Sequence, residues 1–199
     1  MSAVGVRAAG PRFVCLVGPS GAGKSTLLKR FLGLRPDYRR CLSVTTRAPR
    51  GEERDGVDYH FVDDAEFAAR VAAGRFLEHA VVFGKASYGT DRTVVESCLR
   101  EGAGVIKDVD IQGARLIRER MPEAVLVFVT PSDRAEIARR LRGRGTDSET
   151  TILRRIDESE RELAQAGLCR FLVINDDLER AAADLAAVVR ASEVALLPG

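Results

Sequence analysis

Short apolar runs alternate with longer amphipathic stretches along the chain, the order of strand and helix that builds a parallel sheet covered on both faces. Residues 13–17 form a wholly apolar run of strand length, followed by a glycine-rich turn and a helix expected at 24 to about 34. Further strands are expected at 105–109, 124–129 and 171–174. Helices fall around them, at 112–120, 133–141, 151–166 and 178–194. Between 41 and 90 the texture changes. Alternating β-like runs at 59–62 and 76–83 flank one short helix near 65–73, as an insertion into the main sheet would. The stretch RGRGTDSET, 142–150, has no apolar residue, so it reads as an exposed, mobile lid.

Composition narrows the class. At 199 residues, 45% hydrophobic and 30% charged, the chain suits one soluble globular domain rather than a disordered or fibrous one. A net charge of +2, from 31 basic and 29 acidic residues, lacks the excess of a dedicated nucleic-acid binder, so phosphate binding must be local. No apolar run approaches the ~20 residues that span a bilayer. Cys15, Cys41, Cys98 and Cys169 lie far apart, with no CxxC pair or zinc spacing, and are expected to be reduced thiols of a cytoplasmic protein. The first twelve residues, with Arg7 and Arg12, read as a tail in preference to a targeting remnant. Only four basic residues are lysines: Lys24, Lys29, Lys85 and Lys107.

Residues 18–25, GPSGAGKS, match GxxxxGK[ST] between an expected strand and an expected helix, the context that this phosphate-binding loop requires. Gly18, Ser20, Gly21, Ala22, Gly23, Lys24, Ser25 and Thr26 are the candidate ATP-binding residues. Backbone N–H groups and the helix N-terminus face the phosphates, Lys24 reaches the β- and γ-phosphates, and the Ser25 hydroxyl ligates Mg²⁺. GTPases, motor ATPases and kinases share such a loop. A guanine-reading NKxD is missing, since Asn175-Asp176-Asp177 lacks the lysine.

The segments SVTTRAPRGEERDGVDYHFV (43–62) and FLEHAVVFGKASYGT (76–90) bring Arg47, Arg50, Tyr59 and Tyr88 onto strand edges and turns. Two arginines and two tyrosine hydroxyls suit a second anion. On spacing alone, a solvated basic turn beside core tyrosines remains equally open.

Beyond spacing, the P-loop GPSGAGKST, TTRAPR followed by Glu53, Gly56 and Asp58-Tyr59, the FLEHA and YGT pieces, DVDIQG, RLRGRGTDSE and the late IND resemble the guanylate kinase family in order, over nearly the whole chain. The resemblance implies an α/β P-loop nucleotide kinase fold with a central parallel sheet, an inserted small β-rich GMP-binding subdomain at about 43–90, and a lid at about 142–150. These form one domain over 1–199, with its core at about 11–42 and 91–199. It implies ATP-dependent phosphorylation of GMP, and possible acceptance of dGMP, with Mg²⁺, in a monomer or small homo-oligomer. Arg47, Arg50, Tyr59 and Tyr88 would hold the GMP phosphate, and Ser43, Glu78, Thr90 and Asp110 would surround guanine. Asp108 would serve the metal with Ser25. Lys24, Arg47, Arg140, Arg144 and Arg155 would act on the transferring group, and Asn175 would lie near adenine.

The chemistry agrees with these roles. One carboxylate accepts from both N1–H and the exocyclic amine of guanine, whereas adenine presents an acceptor at N1. Three positions depart from the family pattern: the glycine usual before Glu53 stands at Gly51, one extra residue separates Glu78 from Tyr88, and Lys107 replaces an apolar strand residue. Lys107 is read as snorkelling from a strand end, the alternative being a place beside the phosphates. His60 and His79 show no partner pattern. Two rival readings are a P-loop kinase for another phosphorylated metabolite, which would not need Glu78 with Thr90, and a non-catalytic guanylate-kinase-like interaction module, which would have an eroded P-loop.

Overall fold

A computed structural model describes residues 10–82, 86–143 and 148–194. Most of the N-terminal tail, Lys85 and Arg144 lie outside the described residues. The elements in order are β1 (Phe13–Val17), α1 (Lys24–Leu34), β2 (Tyr38–Arg40), β3 (Val44–Thr45), β4 (His60–Phe61), α2 (Asp64–Ala72), β5 (Phe76–Val82), β6 (Ala86–Asp91), α3 (Arg92–Arg100), β7 (Gly104–Asp108), α4 (Ile111–Arg120), β8 (Val125–Thr130), α5 (Arg134–Gly143), α6 (Glu149–Leu163), β9 (Phe171–Ile174) and α7 (Leu178–Glu193). No described helix is long and apolar enough to cross a membrane.

Five parallel strands form the main sheet in the order β2-β7-β1-β8-β9. Side chains alternate across it. Val14 and Leu16 join Leu27, Leu28 and Phe31 of α1 and Leu185 and Val189 of α7 on one face. Phe13, Cys15 and Val17 join Val95 of α3 and Ile117 of α4 on the other. With both faces covered, β1 is buried along its whole length, which explains its unbroken apolar run.

The second sheet, β4-β3-β6-β5, presents one face to α2, where Phe67 and Phe76 stack with ring centroids 4.7 Å apart. A bulge between Phe76 and Glu78 shifts the pairing of β5 with β6. Leu77 is thereby free to enter the main core while Glu78 keeps register with Thr90.

Sequence patterning missed β2, β3, β6 and α3. β2 and β3 are short strands whose partners are distant in sequence, and β6 is a polar strand that joins β5 in a local hairpin and β3 at a distance. α3 did carry a signal: Asp91 caps it by accepting from the Thr93 N–H at 2.9 Å, and Gly102, two residues beyond its end, has φ +81°.

Candidate active site

The loop joining β1 to α1 takes its shape from glycines. Gly18, Gly21 and Gly23 have φ of +140°, +91° and +84°. A Cβ on Gly18 would stand 2.2 Å from the Val129 carbonyl oxygen, and one on Gly23 would stand 2.5 Å from Asn175 Nδ2. α1 begins at Gly23 with no side-chain cap and no acid in its first turn, so its first N–H groups and the positive end of its dipole stay open to an anion. α2, α3, α4, α6 and α7 are each closed by an Asp or Ser side chain. Lys24 Nζ donates to the carbonyls of Gly18 and, at 3.0 Å, Pro19. Ser20 is half-buried, while Ser25 and Thr26 are exposed at the start of α1.

Asn175 follows β9 and is 5% exposed. Its side-chain amide donates to the Ala22 carbonyl at 2.7 Å, so it braces the loop from below. Its own carbonyl accepts from Arg140 Nη2 at 2.9 Å, and Arg140 Nε donates to Glu136 at 2.6 Å. Arg139 and Arg140 together hold the Glu136 carboxyl down to about 2. Arg155 lies half-buried on α6, one turn beyond Ile152, which packs on Ile137 and Leu141 of α5.

The carboxyl end of β7 joins the two sides of the cleft. Asp108 accepts from Ser25 Oγ at 2.9 Å on the loop side. Asp110 caps α4 through the Gly113 N–H at 2.7 Å. A Cβ on Gly113 would lie 3.3 Å from Asp110 Oδ1 and 3.5 Å from the carboxyl carbon of Glu78, so the two acids meet at the start of α4. Among the described residues no three His, Cys, Asp or Glu side chains converge as metal ligands. Ser25 and Asp108 offer two neighbouring oxygen donors, a fit for a Mg²⁺ ion that keeps its remaining ligands from phosphate and water.

Across the second sheet, Glu78 pairs with Thr90, whose hydroxyl donates to Glu78 Oε1 at 2.5 Å. The pairing of Val44 with Gly89 sets Ser43 opposite Thr90, so Ser43, Thr90 and Glu78 form one row. Beyond it, Arg47 donates from Nε to Tyr88 Oη at 3.0 Å, pairs both Nη atoms with Glu53 at 2.9 and 3.0 Å, and lies 5.1 Å from the centroid of Tyr59. The Arg47 guanidinium, helped by the Arg50 backbone N–H, holds the Glu53 carboxyl below the usual range. Arg50 is exposed beside it. Gly51 takes φ +55° at this turn, so the displaced glycine still brings Glu53 under Arg47. The rungs from Glu78↔Thr90 to Val82↔Ala86 run without a shift, which confines the extra residue to the connection beyond Val82.

Lys107 departs from its expected place. It is 4% exposed near the carboxyl end of β7 and neither snorkels nor lies at the phosphates: its Nζ donates to Ser43 Oγ at 2.6 Å. Sequence reasoning also missed the clamping roles of Glu53 and Glu136 and the position of Glu162. Burial pushes the Glu162 carboxyl up, against the pull of Lys24, and its buried Oε2 has no hydrogen-bond partner. Glu53 carried one signal, an acid three residues past Arg50 across a glycine turn; Glu162 carried none.

A family model described as guanylate kinase matches residues 10–192. The guanylate kinase of Alkalilimnicola ehrlichii is 48% identical over 176 residues, covering 87% of this chain and 85% of that protein. That of Myxococcus xanthus is 46% identical over 176 residues, covering 87% and 83%. The crystal structure of guanylate kinase from Anaplasma phagocytophilum superposes with a TM-score of 0.70 at 28% identity, covering 95% of this chain and 89% of its own.

Proposed function

The chain belongs to the guanylate kinase family and transfers a phosphoryl group from ATP to GMP; from that premise we propose how its residues divide the work. ATP lies on the P-loop with its phosphates at the open N-terminus of α1, bound through residues 18 and 20–26. Lys24 leaves the carbonyls of Gly18 and Pro19 for the β- and γ-phosphates, exchanging neutral acceptors for charged ones. Ser25 and Asp108 hold Mg²⁺, which neutralises charge on the phosphate oxygens when bound. Asn175 keeps the loop in shape on the adenine side.

GMP enters from the second sheet. Arg47, presented by Glu53 and the Tyr59 ring, binds its phosphate with Arg50, Tyr59 and Tyr88. Ser43, Thr90, Glu78 and Asp110 surround the base. The Thr90 hydroxyl fills one lone pair of Glu78, and the remaining ones accept from N1–H and the amine of guanine. Arg140 and Arg155 close on the transferring group together with Arg144. The acceptor is already a phosphate oxygen, so catalysis is alignment and charge neutralisation without a general base. The protein works in the cytoplasm, where both nucleotides occur.

One observation supports this reading above the rest. The end of β7 touches both halves, Asp108 at Ser25 and Lys107 at Ser43, so two polyanions bound there share one cleft. The test is ADP release from ATP with GMP, dGMP, AMP and UMP offered in turn. GMP is expected to exceed AMP by roughly 10⁴ in kcat/KM. Comparable rates with AMP would remove the assignment of Glu78 to the base.

A further inference from the structure

A lysine in the fourth position of a parallel strand whose first three residues are all buried is out of keeping with its surroundings. Lys107 pairs in register with the fully buried Cys15, follows the fully buried Ile106 and is 4% exposed itself. Its Nζ leaves the main sheet and reaches Ser43 Oγ in the other at 2.6 Å. Ser43 is the first residue of the row that continues through Thr90 to Glu78. Burial raises the thiols of Cys15 and Cys41; among the charges acting on both, Lys107 lowers them and Glu78 raises them, as opposite charges flanking the same pocket floor would.

The hydrogen-bond chemistry of the row is directional. An ammonium only donates. A serine hydroxyl either donates or accepts, and one that accepts from a lysine beneath it must turn its own proton away. Thr90 already spends its proton on Glu78. The Ser43 proton is therefore the donor left facing the base, and a donor there suits the 6-keto oxygen of guanine and opposes the 6-amine of adenine.

We propose that Lys107 is a positioning residue for base choice, which fixes the Ser43 hydroxyl as a donor toward a purine keto group by occupying its oxygen from below. This rests on the reading that the Ser43–Thr90–Glu78 row faces the base. It adds a second selector to Glu78: the carboxylate reads the N1–H and amine edge, and Lys107 acts through serine on the keto edge. The ammonium never touches the nucleotide.

The experiment compares the wild type, Lys107→Met, Ser43→Ala, the double variant and Lys107→Gln, with kcat/KM for GMP and AMP and KM for ATP. Methionine fills a similar volume in the core without a donor. Lys107→Met is expected to lower kcat/KM for GMP about tenfold, mainly through KM, to lower the GMP-to-AMP ratio by a similar factor, and to leave KM for ATP within twofold. The double variant is expected to be no worse than Ser43→Ala, because both substitutions remove one oriented donor. Glutamine retains a donor and is expected to recover part of the loss. Wild-type values for Lys107→Met, losses that multiply in the double variant, or an equal rise in KM for ATP would overturn the proposal while leaving the GMP reading intact. A wild-type enzyme that treats GMP and AMP alike would overturn both. Should Lys107→Met fail to fold, Lys107→Gln and Ser43→Ala decide: a GMP-to-AMP ratio that neither variant moves overturns it.

Discussion

The side of the cleft proposed to bind phosphate is built from backbone, and the side proposed to face the base is built from side chains. In the first, three glycines at positive φ set the loop, and the first N–H groups of α1 are left without a side-chain cap. Substitution there acts through sterics: a Cβ on Gly18 meets the β8 backbone, and one on Gly23 meets the buried Asn175 side chain. In the second, Ser43, Thr90, Glu78, Arg47 and Tyr88 hang from short strands and turns, held by the Arg47–Tyr88 and Thr90–Glu78 hydrogen bonds and by Lys107 donating to Ser43. Substitution there alters what is recognised more than whether the pocket forms. Binding of any nucleoside triphosphate tail needs only the first kind of site, while choosing a base needs the second.

Lys24→Ala tests the contrast hardest, since Lys24 is the charged side chain that the backbone-built loop itself carries. Turnover is expected to fall by roughly 10³ or more with the thermal unfolding midpoint unchanged. A folded Lys24→Ala protein at near wild-type rate would mean that backbone donors alone suffice.

Glu78→Gln addresses the other half. Loss of a charged acceptor costs about 1.5–3 kcal/mol, so kcat/KM for GMP is expected to drop up to about 100-fold, with KM for ATP unmoved. The GMP-to-AMP ratio should shrink with it. An unaltered ratio would place base reading outside the Ser43–Thr90–Glu78 row.

Gly18→Ala should register chiefly as lost stability. The added Cβ would stand 2.2 Å from the Val129 carbonyl oxygen, and φ of +140° is strained for any side chain. Overpacking against backbone is expected to cost about 1–3 kcal/mol, read as a lower midpoint in denaturant at unchanged m-value. A midpoint equal to wild type would show that β8 yields, and that the loop is less rigid than its glycines suggest.

The smallest effect is a titration. Glu136 is held to about 2 by Arg139 and Arg140, so its ion pairs are intact at neutral pH and are lost only as pH falls through that value. Carbon-13 NMR of the Glu136 carboxyl should give a midpoint near 2. Replacing both arginines with methionine should return it to about 4.3. A wild-type midpoint already in that ordinary range would mean that Glu136 does not tether Arg140.

The same contrast sets what could be read from the chain alone. The P-loop was legible because its function lies in a local run, GPSGAGKS, between an apolar strand and a helix. The strand β1 was legible because burial on both faces leaves no polar position. Ser43 and Thr90 gave no local signal: they meet through strands of two and six residues, and register between distant strands is fixed by packing. The resemblance supplied the residues proposed for the base pocket, and it could not supply Lys107, which differs from the pattern it rests on. α3 was missed although Asp91 and Gly102 mark its ends, because its interior, RTVVESCLR, is rich in β-branched and polar residues.

The bulge in β5 carries a consequence for how this pocket tolerates change in chain length. It lies before Glu78, and from Glu78 to Val82 the ladder is unbroken. Each rung is locked to the next, so residues gained or lost at the far connection leave the position of Glu78 against Thr90 untouched. A residue gained between the bulge and Glu78 would turn the carboxylate to the opposite face of the sheet, toward α2. The hairpin is thus free to vary in length at one end and constrained at the other, and the extra residue carried by this chain lies at the free end.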